Sequence, residues 1–223
     1  MQDNLKLSHV LYQVKDLHLA VKELQEAGFI VEYGTNPQKA YNALIWFEEG
    51  VFIEIYHNSG LPFYVKLMMK WFGYQPVLDR MNKWKNVGEG WCEWSLESTL
   101  DQLNPEKEFF TKENIDFKFH KAKRKNINNQ ILKWELLMPN DIDFPFIMSS
   151  YVPNPRPKEI HHPNGINGVE KILVGRENLD IHLLNELITN QSDLKLTEGK
   201  GLQTVKFIDS DLKIEEILQN LSF

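Results

Sequence analysis

The chain has 223 residues, 42% of them hydrophobic and 25% charged, so a packed core needs neither disulfides nor a structural metal. Its formal net charge of −6 argues against broad nucleic-acid binding, which depends on neutralising phosphates. The single cysteine, Cys92, excludes an internal disulfide and fits a reducing compartment. No apolar run reaches the ~18 residues of a membrane span, and Met1-Gln2-Asp3-Asn4 lacks the layout of a signal peptide.

Residues 5–57 read as strand, helix, strand, strand, strand, and residues 88–151 repeat that order. The apolar stretch Leu7–Val14 opens the first unit. Asp16 is placed to cap a helix with Leu17, Val21, Leu24 and Ala27 on one side, and Gly28 stands just past its end. A strand is expected over Phe29–Tyr33, then a break at Gly34-Thr35-Asn36-Pro37. Two more strands, Asn42–Phe47 and Val51–Tyr56, flank the turn Glu48-Glu49-Gly50, with His57 in the turn beyond.

Residues 58–87 are dense in aromatics, and Tyr64, Leu67, Met68 and Trp71 have helical spacing. They suit a helix packed beside the sheet, or a lid over a pocket.

In the second unit Trp91–Glu97 alternates, with Cys92, Trp94 and Leu96 on one face and Trp91, Glu93, Ser95 and Glu97 on the other. The next helix begins either at Thr99, which forms a capping box with Gln102, or at Asn104-Pro105. Strands over Asp116–Lys123, Ile131–Met138 and Pro145–Tyr151 close the unit.

Pro153-Asn154-Pro155-Arg156-Pro157 reads as a linker. It divides a two-unit domain, residues 1–152, from a partial third unit, residues 158–223. There Gly168–Val174 is a strand, Asn178 caps a helix, and Leu194–Thr197 and Leu202–Ile208 are strands. Residues 211–221 form either a last helix or a fourth strand.

His9 and Glu54 occupy inward positions of half-buried strands, where such polar residues seldom stand without a use. They are either metal ligands or a hydrogen-bonded pair. Gln13 shares the face of His9. Glu93 is a candidate general base or a solvated carboxylate at a cavity mouth. Cys92 reads as a buried, inert thiol. Lys118, Lys121, Lys123, Arg124 and Lys125 read as a solvated hairpin or, less often, as a run that attracts anionic substrates, and His161-His162 as turn residues. There is no phosphate loop, zinc-finger spacing or nucleophile elbow.

Three segments carry a family resemblance: residues 8–17 with His9, residues 42–55 with Glu54, and Gly88-Glu89-Gly90-Trp91. His162-Pro163-Asn164-Gly165 adds to it. The chain resembles the vicinal oxygen chelate superfamily, as a glyoxalase-like protein. That resemblance implies an α+β fold of paired βαβββ units in a half-open, barrel-like sheet, with the partial third βαβ-type unit beyond. It implies a cavity metal, manganese, nickel, zinc or iron, held by one His or Glu from the first and last strand of each unit. His9 and Glu54 fill the first pair. By counting, the second pair falls at Trp91 and Met148, which cannot hold a hard cation, so the chain either binds a metal through fewer donors or carries no cofactor.

The implied function is a glyoxalase-like lyase, isomerase or dioxygenase acting on a small molecule, with His9 and Glu54 on the metal and Glu54 and Glu93 as catalytic groups. The alternative is a non-catalytic binder of the same fold. In either case Gln13, Asn42, Trp46, Phe52, Tyr56, Trp91 and Met148 are the expected ligand contacts. The partners expected are a small molecule and a second copy in a homodimer, with no nucleic acid and no membrane, in the cytoplasm.

Overall fold

A computed structural model describes residues 4–57, 60–188 and 192–219, with Gln219 described by its backbone alone. The first unit consists of β1 (Leu5–Val14), α1 (Leu17–Glu26), β2 (Glu32–Tyr33), β3 (Asn42–Ile45) and β4 (Phe52–His57). Two helices follow, α2 (Phe63–Trp71) and α3 (Gln75–Asn86). The second unit is β5 (Gly90–Ser98), α4 (Asn104–Lys112), β6 (Phe117–Lys125), β7 (Ile131–Pro139) and β8 (Phe146–Met148). All eight strands form one curled sheet in the order β2-β3-β4-β1-β5-β8-β7-β6. That order is a palindrome about the antiparallel β1–β5 pair. Each unit's first strand runs parallel to its last, so the expected repeat is present as a pseudo-twofold.

The pairing of β1 with β5 contains two bulges. Leu7 faces Leu96 and Val10 faces Trp94, so Ser8 and His9 together oppose Ser95. Further along, Leu11 faces Glu93 and Tyr12 faces Trp91, which leaves Cys92 as the extra residue of β5. Each bulge shifts the in–out alternation by one residue. Trp91 therefore points to the same side as Trp94 and Leu96, and Cys92 turns to the concave side with Leu11 and Phe146. The alternation expected for β5 fails at these two residues.

The convex side carries the main core. Val10, Tyr12 and Val14 of β1, Ile53 and Ile55 of β4, and Leu17, Ala20, Val21 and Leu24 of α1 are all buried there. Asp16 caps α1 by accepting hydrogen bonds from the His18 and Leu19 amides. Gly28 ends the helix at φ +85°, and a Cβ on it would lie 2.9 Å from Asn164 Cβ. Asn164 and Ala27 are tied by a 3.1 Å bond, and Ile30 N–H donates to His162 Nδ1 at 2.9 Å. His162 Nε2 then donates to the Trp46 carbonyl at 3.0 Å. His162 opens a turn, as expected, its carbonyl accepting from the Gly165 amide at 2.9 Å, and its buried ring also clips two segments together, with a donor on one side and an acceptor on the other.

The last part of the chain is β9 (Val169–Arg176), α5 (Ile181–Leu187), β10 (Leu194–Thr197), β11 (Lys200–Phe207) and α6 (Ile214–Gln219). β9, α5 and β10 form a parallel βαβ unit, and β11 adds antiparallel on the other edge of β9. In the repeats the first strand pairs in parallel with the last, so this small sheet has a different order. Its apolar residues, Val169, Ile172, Val205 and Phe207 among them, join the main core. The open choice at residues 211–221 resolves as a helix; Leu221 lies outside the described residues. Asp180, not Asn178, caps α5, because Asn178 adopts φ 68° in the preceding turn. The helix of the second unit starts at Asn104-Pro105. His57 ends β4, its amide bonded to the Tyr41 carbonyl at 2.8 Å.

On the concave side α3 is anchored by charge. Arg80 and Glu93 are each 1% exposed and meet at 2.6 Å. Arg80 also donates to the carbonyls of Asp141 (2.9 Å) and Phe144 (2.8 Å), while Trp84 Nε1 donates to Glu93 at 3.0 Å. Removing one member strands the other in a dry site. Arg80→Met is expected to lower the unfolding free energy by about 3–5 kcal/mol in urea titration, whereas Lys22→Met, which removes an exposed pair with Glu26, should change it by less than about 1 kcal/mol.

Candidate functional site

The concave face of the first unit is built in three rungs across neighbouring strands. His9 of β1 lies beside Phe52 of β4; Leu11 beside Glu54, itself beside Leu44 of β3; Gln13 beside Tyr56, itself beside Asn42. Alternation along β1, β4 and β3 thus brings His9, Gln13, Phe52, Glu54, Tyr56 and Asn42 to one surface. Trp46, just past β3, joins them by packing on Phe52 with ring centroids 4.2 Å apart.

His9 is 4% exposed. Phe52 stacks on its ring at 4.6 Å and Phe146 meets it edge-on at 5.5 Å. Its Nδ1 lies 2.8 Å from Ser95 Oγ and 3.0 Å from Ser8 Oγ, the residues that the first bulge gathers around it. Where a serine hydroxyl donates to Nδ1, the ring hydrogen sits on Nε2, and Nε2 lies 3.6 Å from Glu54 Oε2. Glu54 Oε1 accepts from Asn42 Nδ2 at 2.8 Å.

At that distance the two groups would count as an ion pair if both were charged, but burial works against both charges. Desolvation, followed by the positive fields of Arg124 and Arg156, lowers the His9 pKa to about 3. Desolvation raises that of Glu54, opposed by Arg124 and the Asn42 hydrogen bond. At neutral pH His9 is a neutral imidazole facing a carboxyl group whose proton affinity has been increased.

Two arginines flank this pair. Arg124 of β6 reaches the opposite edge of the curled sheet, where a Cβ on Gly34 would lie 2.7 Å from its Nη1. The same Cβ would lie 2.9 Å from Asn42 Cγ and closer still to its Oδ1, so glycine at this point leaves room for the Asn42 amide. The Arg124 guanidinium acts on Tyr41, opposing the rise that burial gives its pKa, and Arg124 Nε is buried without a hydrogen-bond partner. Arg156 is fixed by the carbonyls of Phe47 (3.0 Å) and Gly50 (2.9 Å) and lies 5.6 Å above the Trp46 ring. Tyr151 packs on Leu44, Trp46 and Phe52 and completes the wall. The acceptor atoms Gln13 Oε1 and Asn42 Oδ1 are buried and unpaired.

Trp91 is not in this group. It packs edge-on against Tyr12 at 5.0 Å on the convex side and donates to Glu215 at 3.1 Å. Glu93 is on the concave side, but Arg80 and Trp84 engage its carboxylate. Met148 is buried there and accepts a 3.4 Å contact from Ser8 Oγ. Arg124, Arg156 and Tyr151 are absent from the sequence-based set; one stood in a basic run and another in a proline-rich linker.

The pseudo-twofold identifies the counterparts of His9 and Glu54. His9 pairs with Phe52 as Ser95 pairs with Phe146, and Glu54 and Met148 stand two residues beyond those phenylalanines. Ser95 therefore takes the position assigned by counting to Trp91. The count runs back seven places from Ser98, as His9 lies seven before the helix cap Asp16, whereas the residue before α4 is Leu103. Seven places before Leu103 is Leu96, one residue from Ser95.

Comparison with family models matches the glyoxalase-like domain over residues 7–187. The chain belongs to the glyoxalase-like domain family. Among solved structures, a hypothetical protein from Staphylococcus aureus is 14% identical, with 93% of each chain covered and a TM-score of 0.60. A Mn(II)-bound glyoxalase from Novosphingobium aromaticivorans is 8% identical, covering 95% of this chain and 68% of that one, with a TM-score of 0.52. At these identities the likeness is one of fold alone. No curated protein matches.

The relative's manganese makes the donor set here worth testing. Among the described residues no three His, Cys, Asp or Glu side chains come together. His9 and Glu54 are two donors, and the twofold-related positions offer a hydroxyl and a thioether, poor ligands for a hard divalent ion. Two guanidinium groups already act on the pair. The residues of this glyoxalase-like chain do not fit a metal held by donors from both units.

The sign of the pH effect follows. His9 takes up a proton more readily unfolded than folded, so it contributes stability above the ordinary value of 6.5 that is lost as pH falls toward about 3. Glu54, with its raised pKa, contributes in the opposite sense: its term is present at low pH and lost as pH rises through the folded value. His9→Gln should flatten the loss of stability between about pH 6.5 and about pH 4, as measured by urea unfolding in a pH series.

Proposed function

We propose that the concave face binds a small anionic molecule bearing neighbouring oxygens, and that Glu54 and His9 move a proton on it. One observation carries this reading. Glu54, its pKa raised by burial, faces a neutral His9 at 3.6 Å in a cavity flanked by two arginines. A carboxyl group so tuned can take a proton from carbon or oxygen at neutral pH and return it. The imidazole can donate a hydrogen bond from Nε2 to an oxygen as charge develops there. Arg124 supplies the positive field that an anionic ligand requires, and its unpaired Nε offers it a donor. The unpaired acceptors of Gln13 and Asn42 suit a ligand hydroxyl. Trp46, Phe52 and Tyr151 supply apolar walls.

The neighbouring-oxygen preference rests on family membership, and the anion preference on the arginines. A non-catalytic binder of the same ligand class is the second reading. Ser95 and Met148 favour it, since they stand where a metal-dependent relative would need ligands.

Solvent-deuterium exchange separates the two readings without knowledge of the product. Small 2-oxo and 2-hydroxy carboxylates serve as probes, with binding followed by saturation-transfer NMR and carbon–hydrogen exchange by proton NMR. The wild type should exchange a bound probe, and Glu54→Gln should bind it but exchange it about 10²- to 10⁴-fold more slowly. Binding without exchange in the wild type would assign the binder. No binding of any probe, with Arg124→Gln indistinguishable from wild type, would contradict both readings.

A further inference from the structure

Helix α2 presents an apolar surface with nothing over it. Phe63, Tyr64, Leu67, Met68, Trp71 and Phe72 are all exposed, Phe63 at 81% and Trp71 at 86%. At 100° per residue they sweep one half of the helix, and Val65 and Met69 on the other half are half-buried where it packs. The sequence-based expectation that Tyr64, Leu67, Met68 and Trp71 pack beside the sheet therefore has the wrong side of the helix. Six large apolar side chains on nine or ten consecutive residues exceed the scattered exposure normal for a soluble surface.

The charged side chains of α2 itself are all lysine, and the first carboxylate beyond it, Asp79 of α3, accepts from Gln75 at 2.6 Å. Lys66 and Lys70 project from α2, and no Asp or Glu occurs between Glu54 and Asp79, in a chain whose net charge is −6. Grooves of about 420 and 330 Å³ run on either side of the helix; each is lined by lysine, Lys118 in one and Lys66 and Lys70 in the other, and neither by a carboxylate. Lys118 lies 5.8 Å from the Tyr74 ring, which ties the β6 edge to the same surface.

We propose that α2 docks this protein on the surface of a bilayer containing anionic lipids. The apolar half would enter the acyl boundary with Trp71 and Tyr64 at its centre, and Lys70, next to its Phe63 edge, and Lys66 beyond would extend to lipid phosphates. No helix among the described residues is long and apolar enough to cross a membrane. That bounds spanning and leaves lying on a surface open, so the expected absence of a membrane partner does not follow from it. A second copy of the chain suits the surface less well. An isologous contact would set two copies of this helix, each charged only by lysine, against one another.

Co-sedimentation of the full chain with vesicles tests the proposal, using phosphatidylcholine alone and phosphatidylcholine mixed with phosphatidylglycerol. The wild type should bind the mixed vesicles about tenfold or more tightly than the neutral ones, and less tightly as salt is raised. Leu67→Glu with Trp71→Glu should abolish binding, and Lys66→Gln with Lys70→Gln should remove the preference for the anionic lipid. All four positions lie outside the core, and circular dichroism checks that each variant is folded. Failure to bind mixed vesicles, equal binding to neutral vesicles, or binding unaffected by Leu67→Glu with Trp71→Glu would overturn the proposal. So would a wild-type dimer in light scattering that this double variant dissolves while no vesicles bind, which would assign the surface to a second copy.

Discussion

The antiparallel pairing of β1 with β5 is the constraint on which the rest of this structure depends. It joins the two repeats, sets the pseudo-twofold, and holds both halves of the concave face in one register. Its bulges matter as much as its hydrogen bonds. Placing Ser8 and His9 opposite Ser95 puts two hydroxyls around one imidazole nitrogen and turns the other toward Glu54. A flat ladder would have kept strict alternation and placed Trp91 on the concave face. Local irregularity at a functional surface is a recurrent use of bulges, which re-aim a side chain at the cost of a ladder bond.

The two halves of the concave face use burial differently. In the first, desolvation works against the charge of both groups, lowering the pKa of His9 and raising that of Glu54. In the second, Glu93 sits equally deep but is matched by Arg80, with Trp84 completing its hydrogen bonds. Family resemblance places ligands in both halves. Here the second half has become an anchor for α3, and its twofold-related positions hold Ser95 and Met148. That asymmetry is the physical reason the donor set does not fit a metal held between the two halves.

The repeat was legible in the sequence because its signals are local: alternation in the strands, Asp16 and Gly28 at the helix ends, and apolar spacing between. His9, Glu54, Asn42, Trp46, Phe52 and Tyr56 were legible for the same reason, since alternation alone places them on one face. Ser95 was hidden because it depends on a bulge and on the length of the loop before α4. Arg124 was hidden among four lysines; only sheet curvature shows that it crosses to Gly34. Arg80 gave no pattern at all, because its partners lie in a distant strand and in carbonyls of a loop. Helical spacing revealed α2 but could not reveal which of its sides is covered.

The central claim is that His9 and Glu54 form a cavity pair in which the imidazole is neutral and directs Nε2–H toward the carboxyl group. Imidazole nitrogen-15 chemical shifts of His9, followed from about pH 8 to about pH 5, test this most directly. The account predicts a neutral ring throughout, with acceptor character at Nδ1 and a hydrogen on Nε2. Appearance of an imidazolium near the ordinary histidine value, or of a ring with its hydrogen on Nδ1, would contradict it.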